Sequence, residues 1–185
     1  MDYKSVTTQL SFVSPAIQLN HQASCRFEVK KPADCLLAEL FNFYSLLKKG
    51  NKVSLKNLHE KIYQCELLGF CYSADRLVGI SAIKRPDVSY IELVHQKAGI
   101  LRNMEEFCLE VGYSFTETAV RRYGISSKLK DLLQLKINHY KGIIFATTAI
   151  PSSQHYLIAR GFSALGNPYQ GVYDNDIIYF EKRMN

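Results

Sequence analysis

The spacing of hydrophobic residues divides the first half of the chain into a strand, two helices and a hairpin. Residues 24–31 (SCRFEVKK) alternate apolar and polar side chains, which predicts a first strand. Apolar residues recur at helical spacing after Pro32, and Ser54 is suited to cap a second helix. The following segment (LLGFCYSADRLVGISAIKR) predicts two strands joined by a tight turn at residues 74–76, and Pro86 ends this hairpin.

The apolar positions of the two helices also predict which sides face the core. The predicted inner side of the first helix consists of Leu36, Leu37, Leu40, Phe41, Tyr44 and Leu47. The predicted inner side of the second helix consists of Leu55, Leu58 and Ile62. Residues 90–98 (YIELVHQKA) fit a helix and a strand equally, and both remain open.

The second half of the chain alternates strands and helices. Residues 107–116 predict a strand, residues 125–140 a helix with one apolar side, and residues 142–149 (GIIFATTA) a buried central strand. Pro151 opens a short helix that ends at Gly161, and a final strand (DIIYFEKR) follows. The predicted fold class is therefore α/β (mixed α+β), a mixed sheet with helices on both faces.

The length and composition favour one globular domain. The chain has 185 residues, of which 47% are hydrophobic and 22% charged, which is enough apolar material for a core. We assign residues 24–185 to a single domain and residues 1–23 to an N-terminal extension. No apolar run is long enough to span a membrane, and the polar start predicts no signal peptide, so the expected location is cytoplasmic.

The cysteines and the net charge limit the partners. Five cysteines without a C-x-x-C pair argue against a zinc cluster or a disulfide framework, so we expect buried thiols in a reducing compartment and no metal. A net charge of +6 and a pI of about 9.0 favour an anionic partner, such as nucleic acid, an acidic surface or a phosphorylated cofactor. A solvated basic surface without a specific partner explains the same charge.

One turn carries candidate chemistry, because residues 121–126 (RRYGIS) lie where a predicted strand meets a predicted helix. The first amides of a helix have no partner within it, and an anion binds well at this positive end. Gly124 would let a phosphate approach the backbone, and Arg121 and Arg122 would add charged hydrogen bonds. The residues alone fit a pyrophosphate site and a routine turn equally.

The same six residues resemble the acyl-coenzyme A motif of the GNAT superfamily of N-acetyltransferases. That motif has Gln or Arg, two variable residues, Gly, another variable residue, and then Gly or Ala, whereas this chain ends it with Ser126. The segment SSQHYLIARGF is similar to a further family segment, and DRLVGISAIKRP is similar to its central hairpin. The resemblance covers residues 25–183, and it implies a mostly antiparallel sheet.

The resemblance implies an acyl-CoA site along residues 107–116 and the turn that follows. Phe115 and Thr116 would lie nearest the acyl group, and Ser153 would meet the pantetheine or the pyrophosphate. The backbone amides of the turn would hold the pyrophosphate, from Arg121, Arg122, Tyr123, Gly124, Ile125 and Ser126. The implied co-substrate is acetyl-CoA or another acyl-CoA, and the implied reaction is direct transfer to an amine of a small molecule or a protein.

The resemblance also implies a base and an acid. Glu110 takes the position of a family glutamate that acts as the base, and a structural ion pair is the alternative explanation for a carboxylate on a central strand. In many members a tyrosine acts as the general acid, four residues before the glycine that corresponds to Gly161. Here that residue is Leu157, and Tyr156 precedes it, a rotation of about 100° on a helix. Tyr156 is the predicted acid, and His155 competes for the role.

The amine acceptor is expected to lie beside the early helices, where Phe43, Tyr44 and Tyr63 occur. Tyr169 and Tyr173 belong to a predicted loop, residues 166–176, that would either cover the acceptor or only connect elements.

Two other functions remain open from the sequence. One is a non-catalytic acyl-CoA-binding or partner-binding module, and the other is a basic nucleic-acid-binding domain, although no nucleic-acid-binding signature occurs. No membrane partner is expected, and the sequence does not decide between a monomer and a homodimer.

Overall fold

A computed structural model describes residues 25–185 as a seven-stranded sheet with five helices. The strands are β1 (Arg26–Lys30), β2 (Leu67–Ser73), β3 (Arg76–Lys84), β4 (Phe107–Thr116), β5 (Gly142–Thr148), β6 (Ser163–Tyr169) and β7 (Ile177–Met184). The helices are α1 (Leu37–Lys49), α2 (Leu58–Tyr63), α3 (Val88–Ala98), α4 (Ile125–Lys136) and α5 (Pro151–Ala159). The proposed N-terminal extension, residues 1–23, lies outside the described residues.

The strand order is β1-β2-β3-β4-β5-β7-β6, and each neighbouring pair is antiparallel except β4 and β5. This topology confirms the predicted mixed and mostly antiparallel sheet. Within residues 25–185, no helix is both long and apolar enough to cross a membrane.

Helices cover both sides of the sheet. On one side, called here the α4–α5 face, Leu133 of α4 and Leu157 of α5 pack against Leu109 of β4. On the other side, the α1–α3 face, α1 and α2 cover β2 and β3 around Phe70, and α3 covers β5 and β7 around Phe145. The two helical covers of the α1–α3 face therefore lie over different strands.

The structure changes several local predictions. Residues 88–98 form α3, which settles the open choice at residues 90–98 as a helix. Residues 163–169 form the edge strand β6, so the predicted loop 166–176 is shorter than expected. Pro32 begins a separate short 3-10 turn, and α1 begins only at Leu37.

The predicted inner side of α1 is confirmed for three of its six residues and wrong for the other three. Leu47 is buried, and Leu40 and Tyr44 pack against the same core. Leu36, Leu37 and Phe41 are exposed, whereas Phe43 and Leu46 join Leu47 in the core. The sheet contacts the side of α1 that carries Phe43, whose ring packs edge-on against Phe70 with centroids 5.6 Å apart. For α2, Leu58 and Ile62 are buried as expected and Leu55 is exposed, and Asn57 rather than Ser54 is its N-cap residue.

The central strands separate partway along their length. β4 pairs with β5 only as far as Glu110 and Phe145, yet β4 continues to Thr116 and β5 to Thr148. Beyond the last pair, β4 remains bonded to β3 and β5 remains bonded to β7. The opening between them is called here the β4–β5 notch, with its closed end at Glu110.

A bulge in β4 lies just inside the notch. One residue of β3 lies between Ile80 and Ala82, whereas two residues of β4 lie between their partners Phe115 and Gly112. Tyr113 within this stretch has a φ of 49°, a left-handed conformation that is uncommon for tyrosine. An extra residue of this kind bends a strand, which here coincides with the divergence of β4 from β5.

Candidate functional site

The open end of the notch leads to the loop before α4, residues 121–124. Gly124 has a φ of 74° and is the N-cap residue of α4. A Cβ atom at Gly124 would meet nothing within 4 Å, so the space in front of the helix terminus is open. Arg122 is also left-handed, with a φ of 70°. The loop therefore presents backbone and the unpaired first amides of α4 to an open surface.

Positive side chains surround this helix terminus. Arg121, Arg122 and Tyr123 are exposed, and the Arg121 Nε atom donates a hydrogen bond to the Thr116 carbonyl oxygen at 3.1 Å. Ile125 is buried and anchors the first turn of α4 in the core, while Ser126 beside it is half-buried. The helix dipole and the two guanidinium groups together favour an anion at this place.

Thr116 closes β4 at the open end of the notch. Its Oγ1 atom is buried and has no hydrogen-bond partner among the described residues. A buried hydroxyl without a partner is costly, and a bound molecule with a polar group would satisfy it. Phe115 precedes it and packs against the core beneath α1.

Ser153 lies on the other side of the notch. It belongs to the first turn of α5, which begins two residues after the end of β5, and it is half-buried. The predicted cofactor-binding residues thus lie on the elements that border the notch, with Ser153 following β5 and the others on β4, the loop and α4.

The closed end of the notch holds a buried ion pair. Leu109 and Val111 point into the core of the α4–α5 face, so Glu110 points to the α1–α3 face, where it is 4% exposed. The Lys84 Nζ atom lies 2.5 Å from a Glu110 carboxylate oxygen, as the cross-strand register of the two residues allows. The Tyr90 hydroxyl donates to the other carboxylate oxygen at 3.5 Å.

Two tyrosine rings complete this cluster. The Lys84 ammonium group lies 5.1 Å from the ring centroid of Tyr90 and 4.8 Å from that of Tyr113. The charge of Glu110, followed by burial, raises the pKa of Tyr90, and burial raises the pKa of Tyr113. Both phenols therefore stay protonated, and Glu110 contacts one cation, Lys84, and one neutral hydroxyl, that of Tyr90.

Lys84, Tyr90 and Tyr113 were not predicted from the sequence as members of this cluster. The predicted hairpin contained a partial signal for Lys84, because Lys84 lies two positions after Ala82 and therefore on the same face of β3. Its pairing with Glu110 follows only from the register of β3 against β4. Tyr90 had no such signal, since the segment around it fitted two secondary structures.

Tyr156, the predicted acid, is in a different environment. It belongs to the core of the α4–α5 face, so it lies on the opposite side of the sheet from the Glu110 side chain. Its hydroxyl donates to an Asp131 carboxylate oxygen at 2.8 Å and accepts a hydrogen bond from the Gln134 amide at 2.9 Å. Burial and Asp131 raise the pKa of Tyr156. The competing residue, His155, is exposed.

The aromatic residues that were expected near the amine acceptor do not form one cluster. Phe43 is a core residue, whereas Tyr44 stacks on His59 with ring centroids 3.8 Å apart. Tyr63 borders an apolar groove of about 620 Å³ between α1 and α2. Tyr169 ends β6 and is partly buried, and burial raises its pKa to about 12.

Tyr173 lies on the shortened loop after β6 and is exposed. The loop is tied to the segment after α1 by an ion pair between Asp174 and Lys52. It therefore lies close to the elements that were expected to form the acceptor side.

Within the described part of the chain, no group of three or more His, Cys, Asp or Glu side chains is arranged to hold a metal ion. The four cysteines whose side chains are described are free thiols, and burial raises the pKa of Cys65 and Cys71 to about 12.

No family model and no curated protein sequence matches this chain. Solved structures do match it, although their sequence identity is low. ElaA of Escherichia coli is 12% identical with a TM-score of 0.65, and the match covers 86% of this chain and 99% of ElaA. An acyl-CoA N-acyltransferase of Pseudomonas aeruginosa is 17% identical with a TM-score of 0.62, over 86% of this chain and 99% of that one.

A third match is yncA of Salmonella typhimurium with its cofactor acetyl-CoA. It is 11% identical with a TM-score of 0.57, over 87% of this chain and 94% of that chain. The matched structures include acetyltransferases of the GNAT family. The chain therefore has the GNAT fold, over nearly the whole length of the described residues.

Proposed function

We propose that the protein is an acyl-CoA-dependent N-acyltransferase that transfers an acyl group, most simply acetyl, to an amine. The observation that carries the proposal is the β4–β5 notch, which runs from the buried carboxylate of Glu110 to the open helix terminus at Gly124. Support comes from the fold, which is shared with an acyl-CoA N-acyltransferase and with a protein seen with acetyl-CoA.

In this proposal the notch holds the pantetheine arm. The free backbone groups of β4 beyond Glu110 pair with its amides as an added strand would, and the loop before α4 binds the pyrophosphate through its amides and arginines. The unpartnered Thr116 hydroxyl and Ser153 supply further polar contacts near the open end.

The length of the notch revises one sequence-based expectation. Thr116 is six residues beyond Glu110, which is roughly 20 Å of extended strand. Phe115 and Thr116 lie at the open end of the notch, next to the Arg121 side chain, which in this proposal binds the pyrophosphate. The acyl group, at the far end of the pantetheine arm, would therefore lie nearer Gly112 and Tyr113 than Phe115 and Thr116.

Glu110 is the proposed base for the acceptor amine. It is the carboxylate at the closed end of the notch, and it faces the gap between the two helical covers of the α1–α3 face, from which an acceptor would arrive. Tyr156 remains a predicted acid, but its hydroxyl would first have to leave Asp131. The acceptor class, a small-molecule or protein amine, is part of the proposal.

The first test is thermal unfolding with and without acetyl-CoA. A ligand at 100 times its Kd adds about 2.7 kcal/mol to stability, which for a chain of this size raises the Tm by roughly 5–10 °C. Gly124→Glu should abolish this shift, because it adds a side chain and a negative charge to the phosphate site.

The matched control is Gly161→Glu. Gly161 is also left-handed, with a φ of 81°, and a Cβ there would meet only the Lys182 side chain at 3.9 Å. Gly161→Glu therefore has similar backbone strain but lies after α5, and it should keep the acetyl-CoA shift. An equal shift in the wild type and Gly124→Glu would refute the proposed phosphate site.

Two observations favour a second candidate function, a non-catalytic acyl-CoA-binding module. Lys84 already neutralises Glu110, and Tyr156 is engaged on the opposite face of the sheet. Thiol release from acetyl-CoA with a panel of amines distinguishes the two candidates. Binding without turnover of any amine would favour the module.

A further inference from the structure

The Lys84 amine occupies the closed end of the notch. The last β4–β5 pair ends at Glu110, and Lys84 is the cross-strand partner of Glu110 on β3. A Cβ atom at Gly112 would lie 2.8 Å from the Lys84 Cδ atom and 3.6 Å from its Nζ atom. The lysine side chain thus extends across the bare backbone of β4 at the first residues beyond the pairing with β5.

The surroundings of this amine are those of an acceptor site. A carboxylate lies 2.5 Å away, and two tyrosine rings flank the ammonium group at cation–π distance. Tyr90 comes from the α3 cover and Tyr113 packs against the α1–α2 cover, so the amine bridges the gap between them. The Lys84 side chain is 18% exposed, so it is not fully enclosed by these neighbours.

We propose that Lys84 is a self-acylation site, whose side-chain amine accepts the acyl group of acyl-CoA bound in the β4–β5 notch. The inference rests on the proposed function, because it requires an acyl-CoA whose thioester reaches the closed end of the notch. Among the described residues, no other lysine amine both contacts a carboxylate and lies at cation–π distance from two tyrosine rings.

The transfer step balances without a further reactant. The Lys84 ammonium group gives one proton to the Glu110 carboxylate, and the neutral amine attacks the thioester carbonyl carbon. The C–N bond forms and the C–S bond breaks, so the thiolate of coenzyme A leaves. After the attack the nitrogen carries two protons; one passes to the thiolate to give the free thiol of coenzyme A, and the other stays as the amide N–H. Glu110 releases its proton to water.

Self-acylation would also change the site itself. An acylated Lys84 carries no charge, so Glu110 would lose its cation and keep only the hydroxyl contact with Tyr90. The carboxylate would then be free to accept a proton from a second amine. Acylation of Lys84 would thereby convert a neutralised carboxylate into an available base.

The test is residue-level mass spectrometry after a short incubation of the folded protein with acetyl-CoA at pH 7. Lys84 should gain one acetyl group at least about tenfold faster than Lys97, an internal control on α3 whose amine contacts the Gln170 carbonyl oxygen. Glu110→Gln should slow this by about 100-fold, because it removes the proton acceptor. Gly124→Glu should reduce Lys84 labelling to the level of Lys97.

Lys84→Arg keeps a cation for Glu110 and removes the primary amine. It should retain the thermal shift with acetyl-CoA and lose the extra acetyl group in the intact mass. If acetyl-CoA stabilises the wild type but Lys84 is labelled no faster than Lys97, the self-acylation proposal is refuted and the proposed function stands. If acetyl-CoA neither stabilises nor labels the protein, both proposals fail.

Discussion

At the residue scale, the resemblance implies that Tyr156 is a general acid, whereas its contacts favour a structural role. Its hydroxyl bridges Asp131 and Gln134 of α4, and Asp131 also binds the Arg160 guanidinium group with two hydrogen bonds of 2.8 and 2.9 Å. Tyr156→Phe keeps the ring and removes this bridge. We expect it to cost about 1.5–3 kcal/mol of unfolding free energy, as for a hydrogen bond to a charged group.

The same substitution tests the predicted acid. A general acid contributes about 10²–10⁴ to the rate, so a structural Tyr156 should leave thiol release from acetyl-CoA within a few-fold of the wild type. The measurements are urea unfolding and turnover of whichever amine is accepted. Unchanged stability with a 100-fold slower rate would instead support the acid role. Asp131→Asn, which weakens the same bridge from α4, should resemble Tyr156→Phe in both measurements.

At the element scale, the orientation of α1 is the clearest correction to the sequence analysis. Phe43 is fully buried against Phe70, whereas Phe41 two positions earlier is 62% exposed. Phe43→Ala should therefore cost about 3–5 kcal/mol of unfolding free energy, and Phe41→Ala less than about 1 kcal/mol. Urea unfolding of the two variants measures this. Equal losses would contradict the orientation of α1 described here.

The elements also show why some of the fold could be predicted. β4, β5 and α4 have strong periodicity, and Gly124 lies at a strand–helix junction, so local rules predicted both these elements and the turn that joins β4 to α4. β6 was missed because it contains Gly166, Asn167 and Pro168, which normally indicate a turn. An edge strand tolerates such residues, and only pairing with β7 reveals it.

The inner side of α1 could be predicted only in part, because apolar residues occur on more than one side of this helix and contact with the sheet decides which are buried. The ion pair at the closed end of the notch has a similar origin. Lys84 and Glu110 are 26 positions apart, and only the register of β3 against β4 joins them. Glu110 was identified from the sequence, but the cation that neutralises it depends on tertiary structure.

At the scale of the whole molecule, buried ionisable groups determine how stability depends on pH. Lys130 of α4 is 4% exposed, with its Nζ atom 4.5 Å from the Tyr156 ring centroid, and burial lowers its pKa to about 8. The ordinary lysine value is 10.5, so the unfolded chain binds more protons than the folded protein between about pH 8 and 10.5. In this range Lys130 makes the unfolding free energy rise with pH.

Buried thiols act in the opposite direction. The pKa values of Cys65 and Cys71 are raised from 9.0 to about 12, so these groups lose their stabilising contribution as the pH rises above about 9. The pH dependence of the wild-type unfolding free energy therefore combines opposite contributions from Lys130 and from the buried thiols. A comparison of two proteins that differ only at Lys130 removes the thiols from the difference, because both proteins contain them.

Lys130→Met removes the buried charge and keeps an unbranched apolar side chain. At pH 7 the wild type bears the full cost of burying a protonated amine, so the variant should be more stable by about 1–3 kcal/mol. This advantage should shrink as the pH rises from 8 to 10.5, because folded Lys130 is then neutral. Urea unfolding with a reductant at pH 7, 8, 9 and 10 measures the difference. Lys136→Met, at an exposed position in the last turn of α4, is the matched control and should show little pH-dependent difference. A constant advantage of Lys130→Met across this range would show that packing, rather than the buried charge, sets the stability at this position.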